Sequence, residues 1–329
     1  MIADVSDADI AAAIDALAAG NAIGVPTETV YGLAADAASE DGVARIYRIK
    51  GRPSDHPLIV HVVDDRQARL WADWNDAAQR LADAFWPGPL TIVLPRRAGA
   101  PAWSCAGQPT IALRAPSHPV ARRLLTALAA VGITGLAAPS ANRFGRVSPT
   151  TAAHVRADLG DDVAIVLDGG DAEVGIESTI VDLSRGRAVL LRPGHIDAGQ
   201  LSRALGAPVA AADAGAPRVP GALPSHYAPR TPVVLASAQD LPSRVAAERA
   251  QGRRLAVWSV AQPATTGDEG LRWYRRPESV AGMEHALYAV LREMDAAACD
   301  LIVVEAPPST PPWAAITDRL VRAAASPPA

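Results

Sequence analysis

A chain of 329 residues, 49% hydrophobic and 20% charged, is long enough for two domains with cores of their own, since domains commonly run about 100–200 residues. A formal charge of −4 excludes a protein that holds nucleic acid chiefly through a basic surface and leaves room only for a local basic cleft. No apolar run approaches the roughly 18 residues of a membrane span, and the N-terminal stretch lacks a signal peptide's basic region, so a cytoplasmic location without membrane contact is expected.

Ser6-Asp7-Ala8-Asp9 reads as a helix-capping box, with Ile10, Ala13, Ile14 and Leu17 on one face and Gly20 at the stop. Ala22–Val25 is a short strand running into the hydroxyl-rich turn Pro26-Thr27-Glu28-Thr29-Val30-Tyr31-Gly32-Leu33. A helix from about Ser39 then delivers Lys50 and Arg52 toward the same end of the sheet, and Leu58–Val62 is a buried strand. Of the 31 basic residues only Lys50 is a lysine, in the stretch Lys50-Gly51-Arg52-Pro53-Ser54-Asp55-His56-Pro57. A compact ammonium is not interchangeable with a guanidinium fork, so Lys50 and Arg52 read as an anion clamp or as a helix end suited to cations.

Helices near 66–71 and 75–86 precede a Trp86-Pro87-Gly88-Pro89 turn and the strand Leu90–Leu94. The strand Thr110–Arg114 puts Thr110, Ala112 and Arg114 on one face. Ser117 is expected to cap a helix carrying Leu124, Leu125 and Leu128. The strand Gly135–Ala138 opens into Pro139-Ser140-Ala141-Asn142, followed by a helix over 150–159 and a strand Ala164–Leu167. The segment Gly175-Ile176-Glu177-Ser178-Thr179-Ile180-Val181-Asp182 and the strand Ala188–Arg192 complete a first domain over 1–205. Residues 206–231, rich in Ala, Pro and Gly, read as a linker whose His226-Tyr227 pair suits a lid better than a passive tether. Beyond it, strands at 233–236, 255–260 and 301–306 alternate with helices near 240–250 and 279–297, a small parallel α/β domain over 232–329. Cys105 and Cys299 have no CxxC or His context and are expected to be free packing thiols, with no metal site.

Thr29, Lys50, Arg52, His61, Arg114, Ser140, Asn142, Ser178 and Arg192 all fall at strand ends, the usual ligand edge of an open α/β sheet. Cations and hydroxyls in that number suit a ligand with several anionic groups, such as a nucleotide triphosphate plus a carboxylate. Neither GxxxxGK[ST] nor GxGxxG occurs, so side chains must hold the phosphates. No Ser-His-Asp order, HExxH or zinc spacing stands out. The residues alone reach a nucleotide-using transferase or ligase.

At PTETVYGL, KGRPSDHPLIVH, PSAN, GIESTIVD and LRPG the chain resembles the YrdC-like family in its long form, the L-threonylcarbamoyladenylate synthases with a C-terminal domain. The motifs follow the family's order through residue 205. The resemblance implies a YrdC-like twisted open sheet with a cleft at the strand ends, joined to a small Rossmann-like parallel α/β domain. It implies condensation of L-threonine, bicarbonate or CO2 and ATP into L-threonylcarbamoyladenylate and pyrophosphate, the first step of threonylcarbamoyl modification at position 37 of tRNAs reading ANN codons. Mg²⁺ would come with ATP, without an organic cofactor, and a downstream tRNA threonylcarbamoyl transferase complex would take the product. By this resemblance Thr29, His61, Arg114, Ala138 and Ser178 line the threonine pocket. Arg52, His56, Thr110, Ser140, Ser148, Arg192 and Tyr227 hold ATP, and Lys50, Arg52, Ser140 and Asn142 form the reacting centre. His56 stands where the family more often has Asn, and the linker lacks basic residues that many long forms carry before the His-Tyr pair. Two other readings stay open: a carbamoyl transferase using a related domain, and an RNA-binding module contacting tRNA or double-stranded RNA.

Overall fold

The computed structural model describes residues 5–221, 223–261 and 269–325. Packing divides the chain into two compact units, residues 1–144 with 148–222 and residues 145–147 with 223–329. The first contains α1 (Asp7–Ala18), β1 (Ile23–Val25), β2 (Gly32–Asp36), α2 (Glu40–Lys50), β3 (Ile59–His61), α3 (Asp65–Ala68), α4 (Asp76–Phe85), β4 (Leu90–Pro95), β5 (Thr110–Arg114), α5 (Pro119–Ala130), β6 (Leu136–Ala137), α6 (Ala152–Leu159), β7 (Thr179–Asp182), β8 (Val189–Arg192), α7 (Ala198–Leu205) and β9 (Ala210–Ala211). Its nine strands form one mixed sheet in the order β1-β2-β6-β3-β5-β4-β7-β8-β9. The second unit contains β10 (Val233–Ala236), α8 (Leu241–Ala250), β11 (Leu255–Ser259), β12 (Leu271–Arg275), α9 (Val280–Ala296), β13 (Leu301–Glu305) and α10 (Ala314–Ala324). Its four strands are all parallel, in the order β10-β13-β11-β12.

Local chemistry explains most of these elements. The capping box at α1 forms, with Ser6 Oγ accepting from Asp9 N and Ser6 N donating to Asp9 Oδ2. At α2, Ser39 Oγ accepts from Gly42 N, and the helix stops at Gly51, whose φ of +63° is one that glycine adopts without a Cβ penalty. The chain folds straight back there, with Arg52 N donating to Tyr47 O, so Lys50 and Arg52 leave the same helix end. The alternation of strands sorts side chains between the sheet's faces: Val60, Ile92, Leu113 and Val181 enter one buried cluster, while Ile59, Val93, Ala112 and Ile180 enter another. His61 and Arg114 therefore share the face of Ile59 and Ala112.

The structure corrects several expectations. Residues 164–167 form no strand but a single parallel bridge, Gly24 to Val166, because the next pairing would require an N–H that Pro26 lacks. The turn expected through Leu33 ends early: β2 begins at Gly32, pairing antiparallel with both β1 and β6. Ser117 does not cap α5. Its N–H donates to Glu28 Oε2, and His118 Nδ1 accepts from Val120 N instead, with Pro119 at the first helical position. The helix expected near 66–71 is the single turn α3. Elements α7, β9, β12 and α10 escaped the sequence reading, and β12 is an edge strand whose Arg272 and Arg275 are exposed, which blurs its apolar pattern. The segment read as a linker is divided by packing. Residues 206–221 belong to the first unit, with β9 pairing β8 and Val219 packing against Ile59, Val93, Ala112 and Ile180, whereas 223–231 belong to the second. Ala222 lies outside the described residues. No helix among the described residues is long and apolar enough to cross a membrane. Cys105 and Cys299 are free thiols, the former buried.

Gly194, in the LRPG turn after β8, lies so close to β7 that a Cβ there would stand 2.5 Å from Thr179 N and 2.8 Å from the Ser178 carbonyl carbon. Backbone cannot swing aside as a side chain would, so Gly194→Ala should cost about 1–3 kcal/mol by overpacking. Urea unfolding of the full chain measures this, and a loss below about 0.5 kcal/mol would show that the two strands are free to part.

Candidate active site

Lys50 is 2% exposed, and its Nζ donates to the carbonyl oxygens of Ser140 at 2.5 Å and Asn142 at 2.6 Å. A buried ammonium is tolerated only when its donors are used. Two of its three N–H groups thus pin the PSAN turn, leaving the third for a ligand. Burial drives its pKa well below the usual lysine value and the Arg52 cation adds to this, while Asp158 and Glu177 oppose them. The PSAN turn is held on its other side by the PTETVYGL segment: Leu33 N donates to Pro139 O, Ala141 N to Tyr31 O, and Gly32 bridges Ser140. Phe144 N returns a bond to Lys50 O. Ala138 N donates to Ile59 O, which sets that residue beside β3.

At the other pole is Arg114, 4% exposed, paired in register with His61 across β3 and β5. Its Nη2 lies 2.7 Å from Glu28 Oε1, its Nη1 donates to Thr29 Oγ1 at 2.8 Å, and its Nε donates to Gly88 O at 3.3 Å. Of five guanidinium N–H groups, three are directed at protein, which leaves two for a carboxylate. Burial by itself would raise the Glu28 pKa, but attraction and hydrogen bonding from Arg114, with the Ser117 N–H, hold its carboxyl below the usual glutamate value. His61 is buried, and burial followed by repulsion from Arg114 lowers its pKa to about 3. It is a neutral imidazole throughout the physiological range.

Ser178 sits next to this pole. Its Oγ is 2.7 Å from Thr91 Oγ1, and the Arg192 guanidinium grips it through its carbonyl (2.9 Å from Nη2) and hydroxyl (3.1 Å) while also reaching Pro220 O at 3.0 Å. Ser148 is fully buried and donates to Glu177 Oε1 at 2.5 Å. Arg52 donates to Pro57 O and stands over the Phe144 ring, which His56 meets edge-on at 5.4 Å. Burial, then Arg52, lowers the His56 pKa, so at neutral pH it offers one uncharged N–H, much as an Asn amide would. Thr110 begins β5, four residues from Arg114 and so about 13 Å along the strand. Tyr227 lies within the second unit, buried, its ring 5.3 Å from Arg319 Cζ and 5.7 Å from the Tyr288 ring.

Within the first unit, direct bonds join Lys50 to the backbone of Ser140 and Asn142, Thr29 to Arg114, and Ser178 to Arg192, and register sets His61 beside Arg114. Sequence reasoning missed Glu28, Thr91 and Glu177. Glu28 and Glu177 lie inside quoted motifs, and the signal was an acid beside hydroxyl residues, Thr27 and Thr29 for the first and Ser178 for the second. Among the described residues no group of three His, Cys, Asp or Glu side chains could hold a metal ion.

A mixed α/β sheet that gathers a buried arginine, a neutral imidazole, a buried lysine and a second buried arginine has the donor set of an enzyme acting on anionic substrates. Two family models account for nearly the whole chain: one described as "Telomere recombination" matches residues 15–194, and one described as "Threonylcarbamoyl-AMP synthase, C-terminal domain" matches 196–325. The threonylcarbamoyl-AMP synthase of Bacillus subtilis (strain 168) is 37% identical over 97% of this chain and 94% of its own length. That of Pyrococcus abyssi (strain GE5 / Orsay) is 34% identical over 87% and 85%. The crystal structure of P. abyssi Sua5 complexed with L-threonine superposes with a TM-score of 0.89 at 31% identity, covering 98% of this chain and 96% of that one. The chain belongs to the threonylcarbamoyl-AMP synthase family, in the two-domain form.

Glu28→Gln is expected to cost about 3 kcal/mol at pH 7, because it leaves the buried Arg114 charge without its counterion. The Glu28 carboxyl is held below its ordinary pKa in the folded state, so its stabilisation is fully present above the unfolded glutamate value and lost as pH falls through the folded one. Urea unfolding of both proteins at neutral and strongly acidic pH should therefore show the gap narrowing in acid; a constant gap overturns the ionic account.

Proposed function

We propose that this chain makes L-threonylcarbamoyladenylate and pyrophosphate from L-threonine, bicarbonate or CO2, and ATP, in the cytoplasm, supplying a downstream tRNA threonylcarbamoyl transferase complex. The observation that carries the reading is the pairing, in one unit, of the Arg114 fork beside neutral His61 with the Lys50 ammonium on the PSAN turn. Arg114 takes threonine's carboxylate through its two remaining N–H groups. Thr29, Ser178 and the small Ala138 border the side chain, and His61 accepts from the amine or hydroxyl without adding charge.

The amine captures CO2 to give a carbamate, losing a proton, and a carbamate oxygen then attacks the α-phosphorus while pyrophosphate leaves. Charge grows on the phosphoryl oxygens as it does so. Lys50 and Arg52 are buried donors aimed at that charge, and preorganised donors away from water are usually the largest catalytic contribution. Arg192, Ser140, Ser148, Thr110, His56 and, from the lid, Tyr227 are the remaining ATP contacts, and Asn142 completes the reacting centre. Among the described residues no cluster of carboxylates or imidazoles could hold a metal, which suits Mg²⁺ arriving on the ATP phosphates, where it would neutralise part of the triphosphate charge.

Mixing the protein with ATP, Mg²⁺, bicarbonate and threonine should give the adenylate by mass spectrometry and pyrophosphate release that requires both threonine and bicarbonate; release indifferent to either sinks the reading. Lys50→Arg should lose at least about tenfold in kcat despite keeping the charge, because a planar guanidinium cannot occupy the space between two carbonyl oxygens at this range. Turnover within about twofold of wild type would remove the special role of the ammonium.

A further inference from the structure

Two buried hydroxyls meet on the face of the first unit's sheet that carries His61 and Arg114. Thr91 alternates with Val93 along β4, and Ser178, the residue before β7, alternates with Ile180; Val93 and Ile180 pack with Ile59 and Ala112 on that face. Thr179 N donates to Pro89 O, and the two strands run parallel from Leu90 and Thr179 onward, which brings Thr91 and Ser178 together. Thr91 Oγ1 lies 2.7 Å from Ser178 Oγ, and both residues are fully buried. Arg192 of β8 reaches the same serine, its Nε and Nη2 donating to the Ser178 carbonyl at 3.1 and 2.9 Å and its Nη2 also to the Ser178 hydroxyl at 3.1 Å.

A hydroxyl has one proton to give and can accept two. A guanidinium only donates, so Arg192 occupies one of the two accepting positions of Ser178 Oγ. The contact with Thr91 allows either direction by geometry alone. Among the described residues Ser178 is the one hydrogen-bond partner of the Thr91 hydroxyl, and with Ser178 as donor the Thr91 proton would be buried with nothing to accept it. A buried donor left without an acceptor costs more than a typical hydrogen bond contributes, which fixes the direction: Thr91 donates.

We infer that Thr91 is a positioning residue: together with Arg192 it fills both accepting positions of Ser178 Oγ and makes that hydroxyl a fixed donor, which meets an oxygen of the amino-acid substrate and not its ammonium. The inference rests on the proposed place of Ser178 in the threonine pocket and adds the polarity of that contact. A serine free to rotate would serve an ammonium as well as a carboxylate. One whose lone pairs are both occupied serves only an acceptor. The amino acid is thereby oriented, its oxygens toward the donors of Arg114 and Ser178.

Calorimetry on the full-length chain measures Kd for threonine and for ATP in wild type, Thr91→Val, Thr91→Ser, Ser178→Ala and the double variant Thr91→Val with Ser178→Ala, alongside the unfolding midpoint of each. Thr91→Val keeps the β-branched shape and removes the proton, so Kd for threonine should rise about tenfold while Kd for ATP stays within about twofold; Thr91→Ser restores the hydroxyl and should return threonine to within about threefold of wild type. The double variant should bind threonine no more weakly than Ser178→Ala alone, because both changes act through one hydroxyl. Losses that multiply in the double variant overturn the inference. So does a lower midpoint in Thr91→Val with threonine affinity unchanged, or an equal weakening of both ligands, either of which makes Thr91 merely structural and leaves the functional reading intact. A wild-type chain that binds no threonine overturns both. Should Thr91→Val fail to fold, Thr91→Cys takes its place: a thiol is a weaker donor, so threonine should bind it more weakly than Thr91→Ser, and equal affinity in the two refutes the role.

Discussion

The buried ammonium of Lys50 between two backbone carbonyls is the constraint around which the first unit is arranged. Removing a cation from water is costly unless its donors are met, and here the oxygens of Ser140 and Asn142 meet two of them. Meeting them requires α2 to end at one place, which Gly51 allows, and the PSAN turn to face it, which the backbone pairing with residues 31–33 enforces. Three sequence motifs are thereby brought together through one side chain. An arginine could not serve, because five donors in a rigid fork would have to find acceptors where two carbonyls converge on a point.

The two poles of the site differ in how their charge is balanced, and the difference sorts their ligands. Arg114 already has a carboxylate partner in Glu28, so the pole is close to neutral and what remains to offer is direction, two N–H groups for a planar anion. His61 beside it stays uncharged because burial and Arg114 both oppose its protonation. The Lys50 ammonium donates to the carbonyl oxygens of Ser140 and Asn142, which satisfy hydrogen bonds without cancelling charge. Burial, with the Arg52 cation adding to it, lowers the Lys50 pKa, and a nearby polyanion would oppose both. An amino acid at one end and a triphosphate at the other, as proposed above, suit that contrast, and Arg192 of β8 grips Ser178, the residue before β7, alongside them.

The second unit is a four-stranded parallel sheet whose helices hold short segments of its own. Tyr288 and Arg292 on α9 and Arg319 and Arg322 on α10 face short segments whose sequence neighbours are residues of the first unit's site. A loop of a few residues has little capacity to order itself, because each residue fixed loses conformational entropy and gains few contacts. Residues 145–147 gain such contacts within the second unit, Val147 O from Arg292 and Gly145 O from Ala228 N.

Much of this was legible in the chain alone. Apolar periodicity, capping residues and breakers located α1, α2, β3, β4, β5, α9 and most other elements, because those signals act within a few residues of one another. The solitary lysine and the ordered motifs pointed to the family and to candidate residues, since residue chemistry is written directly in the sequence. What only the tertiary structure decided were relations between distant residues: that Glu28 balances Arg114, that Thr91 and Arg192 meet at Ser178, and that Val219 joins the core while Tyr227 belongs to another unit. The strand expected at 164–167 failed for the same reason, its fate resting on the missing N–H of Pro26 some 140 residues away in the chain. Pairing, burial and the balance of buried charge are properties of partners, and a sequence names the partners without saying which of them will meet.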